Sequence, residues 1–294
     1  MSAETPGKRK RGEDYKKIIV DVFQKHYESG IKRFVVTRAE LVQAAKKHGL
    51  KVVEKEDDES IAKNIGDVIY TYRFRKEFPK EILETAPAKK MWIIAGKGDG
   101  VYEFRLITIP ILNADPGLFV TKVHDATPEI VRRFALNDEQ AILARIRYNR
   151  LIDMFVKCVA YSLQNHLRTN IKGIGQIEID ELYVGSNRQG EHFIIPVQVK
   201  RKKDRLGVSQ LLQDLEFCRV NHPIFTPKAI GAQMLEKEFE GSKYDLLALY
   251  EFECEDTQDD VIISKRVERH FLLLPFQNIT DEDFETAKKR QDSE

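Results

Sequence analysis

The chain has 294 residues, 42% hydrophobic and 32% charged, with 48 Lys+Arg against 47 Asp+Glu and a formal net charge of +1. That length leads us to expect two domains, each with its own core. The lack of a long apolar run or of an apolar segment near Met1 argues against a membrane span or a secretory signal, and for a cytoplasmic protein. Cys158, Cys218 and Cys254 form no CxxC pair and cannot all be bridged within the chain, so they read as small buried residues rather than zinc ligands or a disulfide framework.

Residues 1–12, with Lys8-Arg-Lys-Arg11, read as a disordered basic tail able to add sequence-independent attraction to phosphate. Ile18, Ile19, Val22, Phe23 and His26 fall at helical spacing, predicting a helix from near Glu13 that stops at Gly30. Thr37-Arg-Ala-Glu40 is a capping box, and it opens a second helix through Leu41, Ala44 and Ala45 to Gly49. Ile61, Ile65, Val68, Ile69 and Tyr72 mark one face of a third helix, from Ser60 to about Arg75. The segment Tyr70 to Arg75 also alternates as a strand does, but the stripe starts nine residues earlier and favours the helix. Met91-Trp-Ile-Ile-Ala95 and Val101 to Ile107 then flank Gly96-Lys-Gly-Asp-Gly100 as a β-hairpin.

Three helices followed by a hairpin is the order of a winged helix, expected over residues 13–110. Its third helix carries Lys63, Arg73, Arg75 and Lys76, and the hairpin tip carries Lys97. Such a helix can enter a major groove while the wing reaches the adjoining backbone, so these five residues are candidate contacts to double-stranded DNA. Residues 1–110 hold 23 Lys+Arg against 17 Asp+Glu and residues 232–294 hold 8 against 17, a basic front and an acidic tail. Winged helices also bind proteins, and Asp67 and Glu77 dilute the basic face.

Residues 111–136, entered through Pro110 and Asp115-Pro-Gly117, read as a linker and a short helix with Thr127 as N-cap and Pro128 at the first helical position. Asn137-Asp-Glu-Gln140 is then expected to cap a long helix running to about Leu167, with Ile142, Ile146, Val156, Ala160 and Leu163 as its buried stripe. Glu139 and Asp153 are the acids this helix can bring toward a site, although Arg150 offers Asp153 an i,i+3 ion pair instead.

The stretch from Gly175 to Gly185 and the stretch from His192 to Lys200 each alternate, and Ser186-Asn-Arg-Gln-Gly190 between them is rich in turn residues. Together they predict an antiparallel hairpin. Positions two apart share a face, so Glu178 and Asp180 point one way, as do Gln198 and Lys200; whether the two pairs meet depends on register. A carboxylate and a carbonyl-type oxygen can hold a hard divalent cation against phosphate. A lysine beside them can neutralise charge that develops on phosphoryl oxygens. Arg201-Lys-Lys-Asp-Arg205 follows directly, and Arg201, Lys202 and Lys203 are candidate phosphate contacts. Val208 to Phe217 reads as a helix. Ala229 to Leu235, Leu246 to Phe252 and Val267 to Leu274 read as further strands of one domain over 137–280, ahead of a charged tail over 281–294. The acidic stretch Glu251 to Asp260 lacks the glycine and spacing of a calcium loop.

Asp180 followed eighteen residues later by Gln198-Val-Lys200 resembles the PD-(D/E)XK nuclease superfamily in its Mrr-like form, in which glutamine replaces the usual glutamate. Gln210, on the helix that follows, is also similar to those families, and the resemblance covers roughly residues 137 to 235. It implies a restriction-endonuclease-like α/β fold, a mixed sheet flanked by helices, and hydrolysis of DNA phosphodiester bonds with Mg²⁺ or Mn²⁺. Asp180 and Gln198 would ligate the metal and Lys200 would orient the nucleophile. Glu178 would be a second acid, and Gln210 would support the site. A type II restriction-type homodimer is the expected form, and a Gln198→Glu change is expected either to be tolerated or to shift the metal preference. The rival readings are a repair or junction-resolving nuclease, a DNA-binding protein with a silent nuclease core, and a protein-interaction module.

Overall fold

The computed structural model describes residues 6–50, 65–98, 100–108, 114–135, 138–171, 175–201, 204, 206–257 and 261–291. The expected start of the third helix at Ser60 and the candidate residues Lys63, Asn137, Lys202 and Lys203 lie outside them. The chain divides into two compact units. One comprises Met1–Ile109, Asn170–Gln176 and Glu255–Ile263; the other comprises Pro110–Thr169, Ile177–Cys254 and Ser264–Glu294. Among the described residues no helix is long and apolar enough to cross a membrane.

In the first unit α1 (Pro6–His26) is longer than its sequence suggested and takes in the basic run 8–11. A strand that the sequence pattern did not announce, β1 (Arg33–Thr37), comes next, with Phe34 and Val36 turned inward. Thr37 both ends that strand and caps α2 (Arg38–Lys47): its hydroxyl accepts from Glu40 N–H while Glu40 accepts from Thr37 N–H at 2.9 Å. The third helix is α3 (Gly66–Tyr70), which continues as a π-turn over Thr71–Arg75. After the short α4 (Lys80–Leu83), the hairpin β2 (Lys90–Gly98) and β3 (Val101–Thr108) forms where it was expected. β3 is central, antiparallel to both β1 and β2. The helices cover an aromatic core in which Phe23 stands edge-on to Trp92 at 5.2 Å, Phe34 at 5.3 Å and Phe104 at 5.4 Å. Trp92 satisfies its indole N–H on Thr85 Oγ1 at 2.9 Å.

The second unit begins with β4 (Val120–His124), so the expected linker contains a strand. In α5 (Glu129–Phe134), Pro128 rather than Thr127 stands at the cap position and no residue is buried. The long helix predicted over 137–167 is three elements: α6 (Glu139–Tyr148), capped by the Asp138 carboxylate, α7 (Leu151–Val156) and β5 (Val159–Ile171). Asn149 stops α6, donating to Arg145 O at 2.9 Å and Thr127 Oγ1 at 3.1 Å. Arg150 and Lys157 adopt left-handed backbone at φ 52° and 58°, breaking the helix on either side of α7. Neither position is glycine, so the usual signal for a left-handed stop is missing. Beyond Lys157, Ala160 is buried while Val159, Tyr161 and Leu163 are exposed, so the expected stripe through Leu163 does not form.

The hairpin β6 (Gly175–Ser186) and β7 (His192–Lys200) is antiparallel, with Glu181 opposite Val197. It is followed by α8 (Val208–Asn221), the two-residue β8 (Thr226–Pro227), β9 (Ala229–Phe239), β10 (Ser242–Asp256) and β11 (Val261–Leu274). The strand order is β5-β6-β7-β9-β10-β11. β7 and β9 are parallel, β9 and β10 antiparallel, and β4 runs parallel to the end of β11. Val197 and Val199 of β7 pack against Ile142, Ile146, Leu151 and Phe155 of α6 and α7. Because successive strand residues face opposite ways, Gln198 is turned to the other face, which α8 covers. The expected charged tail is α9 (Asp281–Gln291), acidic in its first turn and basic in its last, which suits the helix dipole. The chain is therefore α+β, with helices flanking mostly antiparallel strands, and its three cysteines form no disulfide.

Candidate functional site

The register answers the question the sequence left open. The β6–β7 pairing runs from Ser186 opposite His192 to Glu181 opposite Val197, and Asp180 and Gln198 are the next residue on each strand. The Asp180 carboxylate, 8% exposed, accepts the Val199 N–H at 2.7 Å. Gln198, 1% exposed, spends its amide nitrogen twice, on Glu178 O and on Asp214 Oδ2, both at 2.9 Å. Its side-chain oxygen is buried without a hydrogen-bond partner, as is Asp214 Oδ1. Lys200, at the end of β7, donates to Glu139 Oε1 at 3.0 Å. Glu139, in the first turn of α6, is therefore the acid this region supplies. Asp153 instead holds Arg150 at 2.5 Å and the Ala160 N–H.

Burial lifts the Asp180 carboxyl above its ordinary range. The Val199 N–H and the Lys200 ammonium oppose that, while the charges of Glu139 and Glu178 add to it. Burial raises Asp214 well above the carboxylate range. The Gln198 amide works against this, the Asp180 charge adds to it, and Lys200 opposes it. Four acids (Asp180, Asp214, Glu139 and Glu178), the Gln198 amide and the Lys200 ammonium thus lie close enough to act on one another at the end of the β6–β7 hairpin. A bound cation would favour the ionised form of the raised carboxyls.

Among the described residues no three His, Cys, Asp or Glu side chains converge as metal ligands. The donors on offer are instead the Asp180 and Glu139 carboxylates with the unpartnered Gln198 amide oxygen. An orphaned buried acceptor of that kind fits a hard cation. Mg²⁺ commonly takes only one or two carboxylates and fills its remaining positions with water and phosphate.

Other expected site residues lie elsewhere. The Glu178 side chain is about one-third exposed and turned to Arg168 at 2.9 Å, while its backbone carbonyl accepts from Gln198. From α8 the contact to Gln198 comes from Asp214, one turn beyond Gln210. Arg201, exposed, leans on Asp204 at 3.3 Å. In the first unit Arg73 is partly buried, its Nε fully so, and burial pushes its guanidinium down to about 10, with Tyr102 acting against it. Arg75 is exposed and lies 4.6 Å from the Tyr70 ring, Lys76 is exposed, and Lys97 faces Glu103 at 3.7 Å.

Among the buried acids that the sequence pattern did not single out are Asp214 and Glu181. Asp214 sits among Leu211, Leu215 and Cys218 on the covered face of α8. Glu181 follows Ile177 and Ile179 and precedes Tyr183 on the inward face of β6. There it accepts Arg147 Nε at 2.8 Å, Arg147 Nη2 at 3.3 Å and the Ser162 hydroxyl. The available signal was the same in both cases, an acid at an apolar phase of its element.

Comparison with protein-family models, with curated proteins and with solved structures finds no match to this chain.

Proposed function

We propose that the chain is a metal-dependent endonuclease hydrolysing phosphodiester bonds in duplex DNA, of restriction type and acting as a homodimer. The observation that carries this reading is the group of polar side chains at the end of the β6–β7 hairpin, where Asp180 accepts the Val199 N–H, Gln198 is buried with its oxygen unpartnered and Lys200 donates to Glu139. Asp180 and the Gln198 oxygen would hold Mg²⁺ or Mn²⁺, with Glu139 as the second carboxylate. The metal would supply Lewis acidity and a bound water of lowered pKa. Lys200 carries a positive charge that can meet negative charge developing on the phosphoryl oxygens, and Glu139 orients its ammonium until substrate arrives. Of the candidate cations, Arg75, Lys76, Lys97 and Arg201 are exposed and able to meet phosphates, and contacts of this kind weaken steeply with added salt. The homodimer follows from the reading: two sites related by a twofold axis suit cleavage of both strands.

One observation favours a second reading, DNA binding without cleavage: Gln198 brings no charge and its oxygen is almost wholly buried. Incubating supercoiled plasmid with the full chain and Mg²⁺, with and without EDTA, separates the two. Cleavage that EDTA abolishes supports the nuclease. Lys200→Ala is expected to lower that cleavage at least about a hundredfold, close to 3 kcal/mol of barrier, while DNA binding persists. Metal-independent retardation of the DNA without nicking supports the second reading, and parent-rate cleavage by both Lys200→Ala and Asp180→Ala removes the assignment.

A further inference from the structure

The Gln198 side chain is held in one orientation by two acceptors on different elements. The Glu178 carbonyl lies on the neighbouring strand, and the Asp214 carboxylate lies on α8. A primary amide has two N–H donors, and these two acceptors use both. The opposite end of the amide is therefore its oxygen, and it is left buried with no partner. Turning the amide over would set its oxygen against the Glu178 carbonyl and the Asp214 carboxyl, two acceptors, so these two contacts fix which end carries the oxygen even though a buried acceptor without a partner is costly. We infer that Asp214 is a positioning residue, one that locks the Gln198 amide with its oxygen presented to the cation. This inference rests on the nuclease reading above and adds a residue from α8 to it. Asp214 touches neither substrate nor metal in this scheme; it acts through Gln198. Glu178 enters the same lock by its main chain, which explains why its side chain can point away to Arg168.

The test uses the full chain, with Mn²⁺ alone as the probe. Mn²⁺ affinity is measured by calorimetry, and the Gln198 side-chain amide protons are followed by ¹⁵N NMR without metal. In the parent those two protons are expected to exchange slowly. Asp214→Ala is expected to speed the exchange of one of them and to weaken Mn²⁺ binding about 10–100-fold, the usual effect of removing a group that orients a ligand. Asp214→Asn keeps an acceptor for Gln198 and is expected to stay within about threefold of the parent. It also serves if the alanine variant fails to fold. If Asp214→Ala folds, binds Mn²⁺ like the parent and leaves the amide protons protected, the inference is overturned while the nuclease reading stands. It is overturned in the same way if Asp214→Asn weakens Mn²⁺ binding as much as Asp180→Ala does. If the parent binds no Mn²⁺, the metal reading falls and the inference falls with it.

Discussion

Removing the guanidinium from Arg147 isolates a buried charge and so tests the reading of the β6 inward face. Glu181 has no exposed surface and depends on two hydrogen bonds from Arg147 and one from Ser162. Arg147→Met keeps most of the side-chain volume but leaves that carboxylate with the Ser162 hydroxyl alone. Breaking a fully buried ion pair from one side costs about 3–5 kcal/mol. Here the Arg147 side chain is 40% exposed, and a cavity of about 160 Å³ lined by Arg147, Ser162 and Tyr183 adjoins it, so water can reach part of the exposed charge. We therefore expect about 2–3 kcal/mol, or a fall of roughly 5–10 °C in Tm for a chain of this size. Urea titration and thermal melting of the parent, Arg147→Met, Glu181→Leu and the double variant give the coupling. The double variant, with no stranded charge, is expected to be more stable than Arg147→Met alone. A loss below about 0.5 kcal/mol for Arg147→Met would refute the reasoning, as would a double variant less stable than either single one.

Further outcomes follow from the same geometry. Burial works to raise the Glu40 carboxyl, but the Thr37 N–H, His26, Lys25 and the Thr37 hydroxyl outweigh it and hold the group at about 2 rather than 4.5. Because the folded value is the lower one, the stabilisation is complete above about pH 4.5 and is lost as pH falls toward 2. Glu40→Gln should thus cost about 1–2 kcal/mol at pH 6 and progressively less at pH 3 in urea melts; a difference independent of pH contradicts this. In Gly231→Ala the new Cβ would stand 2.5 Å from Leu206 Cδ1 and 3.0 Å from Phe252 Cε2, directly beside Gln198. An overpacking loss of about 1–3 kcal/mol is expected, relieved by adding Leu206→Ala; an unchanged Tm argues against the close approach. Gln198→Glu, tolerable on sequence grounds, would set a second buried carboxyl against Asp214 Oδ2 and the Glu178 carbonyl. Without metal it should lose about 1–3 kcal/mol, and more as pH rises, because the pair folds best while it retains protons. Equal melting of variant and parent at pH 5 and pH 8 would contradict that.

The local pattern of the chain settles much of its architecture. The capping box at Thr37, the alternation around the 186–190 turn and the apolar runs of β9, β10 and β11 each carry their own signal within a few residues, because caps, turns and strand phase are short-range chemistry. Asp180, Gln198 and Lys200 could be chosen as a group for the same reason. What the sequence leaves open is anything decided by a partner far along the chain. The 139–167 segment keeps a helical stripe past Asn149, yet left-handed Arg150 and Lys157 divide it, and neither is a glycine that would have announced the break. Arg73 carries a helix-face position in sequence, yet its Nε is buried. Asp214 lies sixteen residues from Gln198, and Glu139 lies sixty-one from Lys200. No periodicity links positions so distant; only the strand register and the docking of α6 and α8 bring their oxygens and nitrogens within 3 Å.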